Sequence, residues 1–155
     1  MHDPMTVAFE IKYTWRKYRG PQKSYFLLTY RESFITIWHV DPERDGSDDS
    51  CGWFPRARHG DNEVQERIIK RFESDWDRTF TSDESGKTYN CGLFKPTGEP
   101  MLSVIGITLN LFFVAALEVF GSREKATRFI QRNLFEILCG SGNPQPGQIG
   151  TVKLK

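Results

Sequence analysis

Cysteine is scarce in this chain, net charge is almost absent, and no segment repeats. The three cysteines, Cys51, Cys91 and Cys139, are odd in number and fall at unrelated spacings, which excludes a disulfide framework of the small secreted kind. No basic stretch followed by an apolar core opens the chain, so these thiols are expected to be reduced and the protein cytoplasmic. Twenty-one Lys and Arg against twenty Asp and Glu leave a formal charge of +1. No global field therefore draws the chain onto nucleic acid or an anionic membrane, and any such contact has to be local. Long apolar runs are few as well. The uncharged run 101–117, MLSVIGITLNLFFVAAL, falls short of the roughly 20 residues that cross a bilayer comfortably. Ser103, Gly106, Thr108 and Asn110 dilute it and Glu118 closes it, which favours a buried core helix over a membrane span.

What the chain has instead is aromatic residues: 12 Phe, 5 Tyr and 4 Trp in 155 residues, with 38% hydrophobic and 26% charged overall. That is enough apolar surface to offset the ordering entropy of one core, and the length suits one domain. In TVAFEIKYTW, Val7, Phe9, Ile11, Tyr13 and Trp15 alternate with polar residues, the period of a strand with one buried face. Gly20-Pro21 breaks that pattern before SYFLLTY, Arg31-Glu32-Ser33 makes a turn, and FITIWHV follows. These three strands predict an antiparallel meander. Val64, Ile68, Phe72 and Trp76 recur every four residues after Asp61 or Asn62, an amphipathic helix with its cap. Thr79–Ser82 and Thr88–Phe94 flank Asp83-Glu84-Ser85-Gly86 and predict a hairpin extending the sheet. Pro100 precedes the apolar helix and Gly121 ends it. Ser122 caps another helix carrying Ala126, Phe129, Ile130, Leu134, Ile137 and Leu138, which Gly140 stops. Strands first and helices later predict an α+β fold, an antiparallel sheet of about four or five strands with about three helices on one face. Residues 1–140 form the domain. Residues 141–155 are a Gly/Pro-rich tail in which Ile149, Val152 and Leu154 could add an edge strand.

Between Asp41 and Gly60 the sequence DPERDGSDDSCGWFPRARHG excludes a long regular element. A loop this long inside a small domain is more often functional than idle. Asp41, Glu43 and Asp45 before Gly46 alternate as oxygen ligands do in a calcium loop, yet Gly52 stands where the closing bidentate Glu belongs. A looser Ca²⁺ or Mg²⁺ site on Asp41, Asp45, Asp48 and Asp49 competes with aspartates that cap turns and face water. His39, His59, Cys51 and Cys91 carry zinc-binding atoms, but no two lie close enough for local chelation. Cys51 follows an acidic run that disfavours its thiolate, which argues against a nucleophilic cysteine.

Trp53, Phe54, Arg56 and Arg58 form a small aromatic and basic patch, suited to a protein hot spot and less well to a nucleotide beside so many aspartates. The block WHVDPERDGSDDSCGW, residues 38–53, resembles small proteins of bacteriophages and other mobile elements. That resemblance implies no activity and supplies no catalytic or binding residue; it adds some weight to a host-interaction or defence-related role, in which small single domains often act by binding.

Two functions follow from the same segment. One is a non-enzymatic binding protein that docks on a protein partner through loop 38–61, with Trp53, Phe54, Arg56 and Arg58 as contacts. The other is a metal-dependent hydrolase or phosphoryl-transfer enzyme, in which the four aspartates hold a divalent cation and His39 or His59 moves protons.

Overall fold

A computed structural model describes residues 5–15, 21–40, 62–74, 78–94, 100–139 and 148–153. The alternating segment forms β1 (Met5–Trp15), which pairs antiparallel with β2 (Pro21–Arg31), and β2 pairs antiparallel with β3 (Phe34–Val40). The expected meander is there. Its second turn is the two-residue pair Glu32 and Ser33, both at positive φ (54° and 68°). Positive φ at both centres is the geometry that matches the strand twist, here adopted without glycine.

On the far side of β3 lies β8 (Gln148–Lys153), the edge strand anticipated in the tail, paired antiparallel with an irregularity between Ile37 and Trp38. At the other end β7 (Pro100–Leu102) runs parallel to β1 and pairs antiparallel with β6 (Gly92–Phe94). The main sheet thus reads β6-β7-β1-β2-β3-β8, antiparallel in every pair but β1/β7.

The hairpin β4 (Thr79–Thr81) and β5 (Thr88–Asn90) does not extend this sheet, contrary to the sequence expectation; it forms a two-stranded sheet of its own. The break falls at Cys91, which is buried and donates its N–H to the Arg78 carbonyl at 2.9 Å. Residues 88–94 therefore divide between two sheets at that point.

Four helices are described: α1 (Asn62–Ser74), α2 (Val104–Phe120), α3 (Arg123–Arg132) and α4 (Leu134–Cys139). The Ser103 hydroxyl caps α2 by accepting from the Gly106 N–H at 3.0 Å, and Gly121 at φ 68° ends it. Most of α2 is buried, with Leu109, Leu111, Phe112, Val114, Ala115 and Ala116 fully so. A helix apolar all round is one enclosed by protein, and no described helix is long and apolar enough to cross a membrane. One helix was expected over 123–139, but two form. The Asn133 side chain donates to the Phe129 carbonyl at 2.8 Å and so competes with the helical ladder.

Core packing follows the strand alternation. Val7, Ile11, Phe26, Leu28, Tyr30, Ile35, Ile37 and Val152 share one cluster with Ile68 and Phe72 of α1 and with α2, α3 and α4. All eight strand residues lie on one face of the sheet, so the helices cover that face. Gly150 of β8 gives α2 room: a Cβ there would stand 3.2 Å from the Phe112 ring. Arg67 and Arg71 of α1 both donate to the Glu118 carboxylate of α2, Arg71 at 3.1 Å, fastening the two helices at their rim.

Candidate functional site

Among the candidate site residues singled out from sequence, the structure describes His39 and Cys91, the latter a buried free thiol. His39 is exposed at the end of β3, opposite Phe26 in register, with ring centroids 5.4 Å apart. Trp38 beside it is half-buried on the opposite face of the sheet. Asp41, Asp45, Asp48, Asp49, Cys51, Trp53, Phe54, Arg56, Arg58 and His59 lie outside the described residues. Among the described residues no three His, Cys, Asp or Glu side chains gather as metal ligands would.

A concave site among the described residues lies between the β4–β5 hairpin and α4. Its hairpin wall is rigidly turned. Ser82 donates its N–H to the Lys87 carbonyl at 2.9 Å, and Gly86, at φ 72°, donates to the Ser82 carbonyl at 2.8 Å. The hydroxyls of Ser82 and Ser85 accept from the N–H groups of Ser85 and Lys87, each at 3.2 Å. Asp83 donates its N–H to the Gln131 carbonyl of α3 at 3.1 Å, which fixes the turn against the helices. Inside, Phe80 meets Phe113 of α2 at 5.5 Å, and the Arg78 guanidinium lies 4.1 Å over the same Phe113 ring. A guanidinium over an aromatic face is held by the ring's negative quadrupole and keeps a buried cation in place.

The opposite wall is α4. Leu134 and Ile137 are buried in the core, whereas Phe135 is 65% exposed and Leu138 is half-buried. Between the walls is a cleft of about 420 Å³ lined chiefly by Tyr89, Leu134, Phe135, Leu138 and Glu84. The Lys87 ammonium sits 5.4 Å from the centre of the Tyr89 ring. The cleft is apolar along its helical side and polar along the turn, with an acidic side chain at its rim. Such an arrangement seats a bulky apolar group and orients what flanks it. The exposed thiol of Cys139 also lines the cleft.

Sequence reasoning passed over this site. It was within reach at one residue: Phe135 falls outside the stripe of Phe129, Ile130, Leu134, Ile137 and Leu138, and a large apolar residue off its helix's stripe faces out. No protein-family model, curated protein or solved structure matches the chain.

Proposed function

We propose that this protein acts by binding rather than by catalysis, docking on a protein partner that inserts a bulky apolar side chain into the cleft between the β4–β5 hairpin and α4. The observation that supports this is Phe135, 65% exposed on a helix whose neighbours Leu134 and Ile137 are buried. An aromatic ring held out from a rigid frame, beside Leu138 and Tyr89, is the kind of anchor on which interface energies concentrate. Trp53, Phe54, Arg56 and Arg58 of loop 38–61 are the second set of contacts this reading carries from the sequence. The resemblance of residues 38–53 to phage and mobile-element proteins fits a small domain that works on a host protein.

Glu84 on the rim gives the partner its chemistry. Neither Glu84 nor its neighbour Asp83 makes a side-chain hydrogen bond or ion pair among the described residues. An apolar anchor flanked by a Lys or Arg would meet both features of the cleft.

Capture from cell extract with the immobilised chain, compared with Phe135→Ser and Trp53→Ala, tests this reading. A partner retained by wild type and lost with Phe135→Ser at unchanged thermal stability supports it. A partner held equally by both variants would show that neither surface is the dock.

A further inference from the structure

The sheet face turned away from the described helices carries a second arrangement, independent of the cleft, at the end beyond its buried residues Leu27 (3% exposed) and Thr36 (9%). Strand register places Arg31 of β2 directly opposite Phe34 of β3, and Phe34 directly opposite Lys153 of β8. The core residues Tyr30, Ile35 and Val152 precede or follow these three in the chain and point the other way, so alternation puts Arg31, Phe34 and Lys153 on the opposite face. All three are exposed, Phe34 by 40%. Directly opposite residues stand about 5 Å apart at Cβ, so one aromatic ring lies between two cations.

Arg31 and Lys153 make no hydrogen bond or ion pair among the described residues, and neither does the carboxylate of Glu32 in the adjoining turn. The next row along the same face is hydroxyl-bearing across four strands. Thr6 faces Thr29, Thr29 faces Thr36, and Thr36 faces Thr151, with the last two hydroxyls 3.0 Å apart. Thr6 is exposed, Thr29 and Thr151 are half-buried, and Thr36 is buried.

We propose that this row is a binding site for single-stranded nucleic acid. A base stacks on Phe34, phosphates on either side pair with Arg31 and Lys153, and the Thr6 and Thr29 hydroxyls bond the sugar–phosphate backbone. The chemistry selects this partner. Two unpaired cations call for an anion, and the ring between them calls for a flat group alternating with the negative charges, which a single strand supplies at every step. A duplex keeps its bases stacked and paired, with no free face to lie on Phe34. An acidic peptide satisfies the cations but brings nothing to stack. With a net charge of +1 the attraction is local, so binding is weak and sensitive to salt.

The test is fluorescence anisotropy of a labelled oligothymidylate and of an oligouridylate, each of about 12 nucleotides, a length within the site sizes of single-strand binders. Both are titrated with the full chain at low salt. Saturable binding to at least one is expected, weakened roughly tenfold by Phe34→Ala and retained by Phe34→Trp. Arg31→Ala with Lys153→Ala should flatten the slope of log affinity against log salt by about 1.4, the loss of two phosphate contacts. Glu32→Gln should tighten binding. No binding to either strand overturns the proposal, as does equal binding by Phe34→Leu, which keeps an apolar side chain and folding but loses the flat ring. Displacement by polyglutamate or duplex as effective as by unlabelled single strand also overturns it, leaving a surface that prefers no single strand.

Discussion

Gly106, in the first turn of α2, lies so close to Cys91 that a Cβ on it would overlap the Cys91 carbonyl oxygen. This contact places the N-terminal end of the central helix against the point where residues 88–94 pass from the small sheet to the main one. Backbone meets backbone there, so no side-chain rotation can make room.

Gly106→Ala is therefore expected to destabilise the protein by roughly 3 kcal/mol, the upper end of overpacking costs. Gly121→Ala supplies the comparison. Its added methyl meets nothing within 4 Å, but φ of 68° is left-handed, a conformational cost of about 1–2 kcal/mol. Urea denaturation of both variants measures the difference. A Gly106→Ala variant as stable as wild type would mean that α2 and Cys91 do not touch in solution.

Asn110 gives the second prediction. It is fully buried in α2, and neither its side-chain oxygen nor its nitrogen has a hydrogen-bond partner among the described residues. A buried polar group left unmatched costs about 1–3 kcal/mol, whereas an apolar group of similar branching in its place can stabilise. Asn110→Leu should raise the urea midpoint without changing the slope of the transition. A fall in the midpoint would show that the amide is engaged in the folded protein and that its polarity is needed there.

Most of the fold was legible because it depends on short-range periodicity. The alternation of Val7, Phe9 and Ile11 announced β1, the four-residue recurrence of Val64, Ile68 and Phe72 announced α1, and Ser103 and Gly121 bracket α2 where a cap and a left-handed residue belong. The hairpin formed around the turn expected for it, and residues 92–94 do join the main sheet, but the hairpin's separation from that sheet was not legible because it is a tertiary event. Cys91 turns toward Arg78 and Gly106, contacts that no local pattern encodes. The break at Asn133 was missed for a related reason, since one side-chain amide settles it within an otherwise continuous apolar stripe. As to function, acidic and aromatic composition drew attention to loop 38–61. The cleft draws its walls from residues 82–89 and 134–139, and their adjacency exists only after folding.

Leu134 and Phe135 provide the third prediction, because two adjacent apolar residues carry opposite roles. Leu134 is 2% exposed and Phe135 is 65% exposed. Leu134→Ala should destabilise by about 2–5 kcal/mol, as core truncations do. Phe135→Ser should leave stability within about 0.5 kcal/mol of wild type, which makes it a clean probe of the cleft. Thermal denaturation of the pair checks both. A large loss with Phe135→Ser would assign that ring to the core and remove it as a docking anchor.

The last prediction separates binding from metal-assisted chemistry at loop 38–61. A ligand that binds only the folded state raises the unfolding midpoint by mass action, by about 2.7 kcal/mol when present at a hundred times its dissociation constant. If the protein acts by docking, chelator-treated protein melts at the same temperature with Ca²⁺, Mg²⁺, Mn²⁺ or Zn²⁺ as without. The aspartates then serve as turn and surface residues, and Asp45→Asn with Asp48→Asn leaves capture of an apolar-anchored partner intact. A rise of several degrees with one ion, abolished in that double variant, reverses the assignment. Four carboxylates from Asp41, Asp45, Asp48 and Asp49 would then be holding a cation, since Asn keeps the shape of Asp and removes only the charge. In that case His39, exposed at the head of the same segment, becomes the first base to replace. Its conversion to Gln would be expected to abolish turnover while leaving the ion-dependent rise in melting temperature in place.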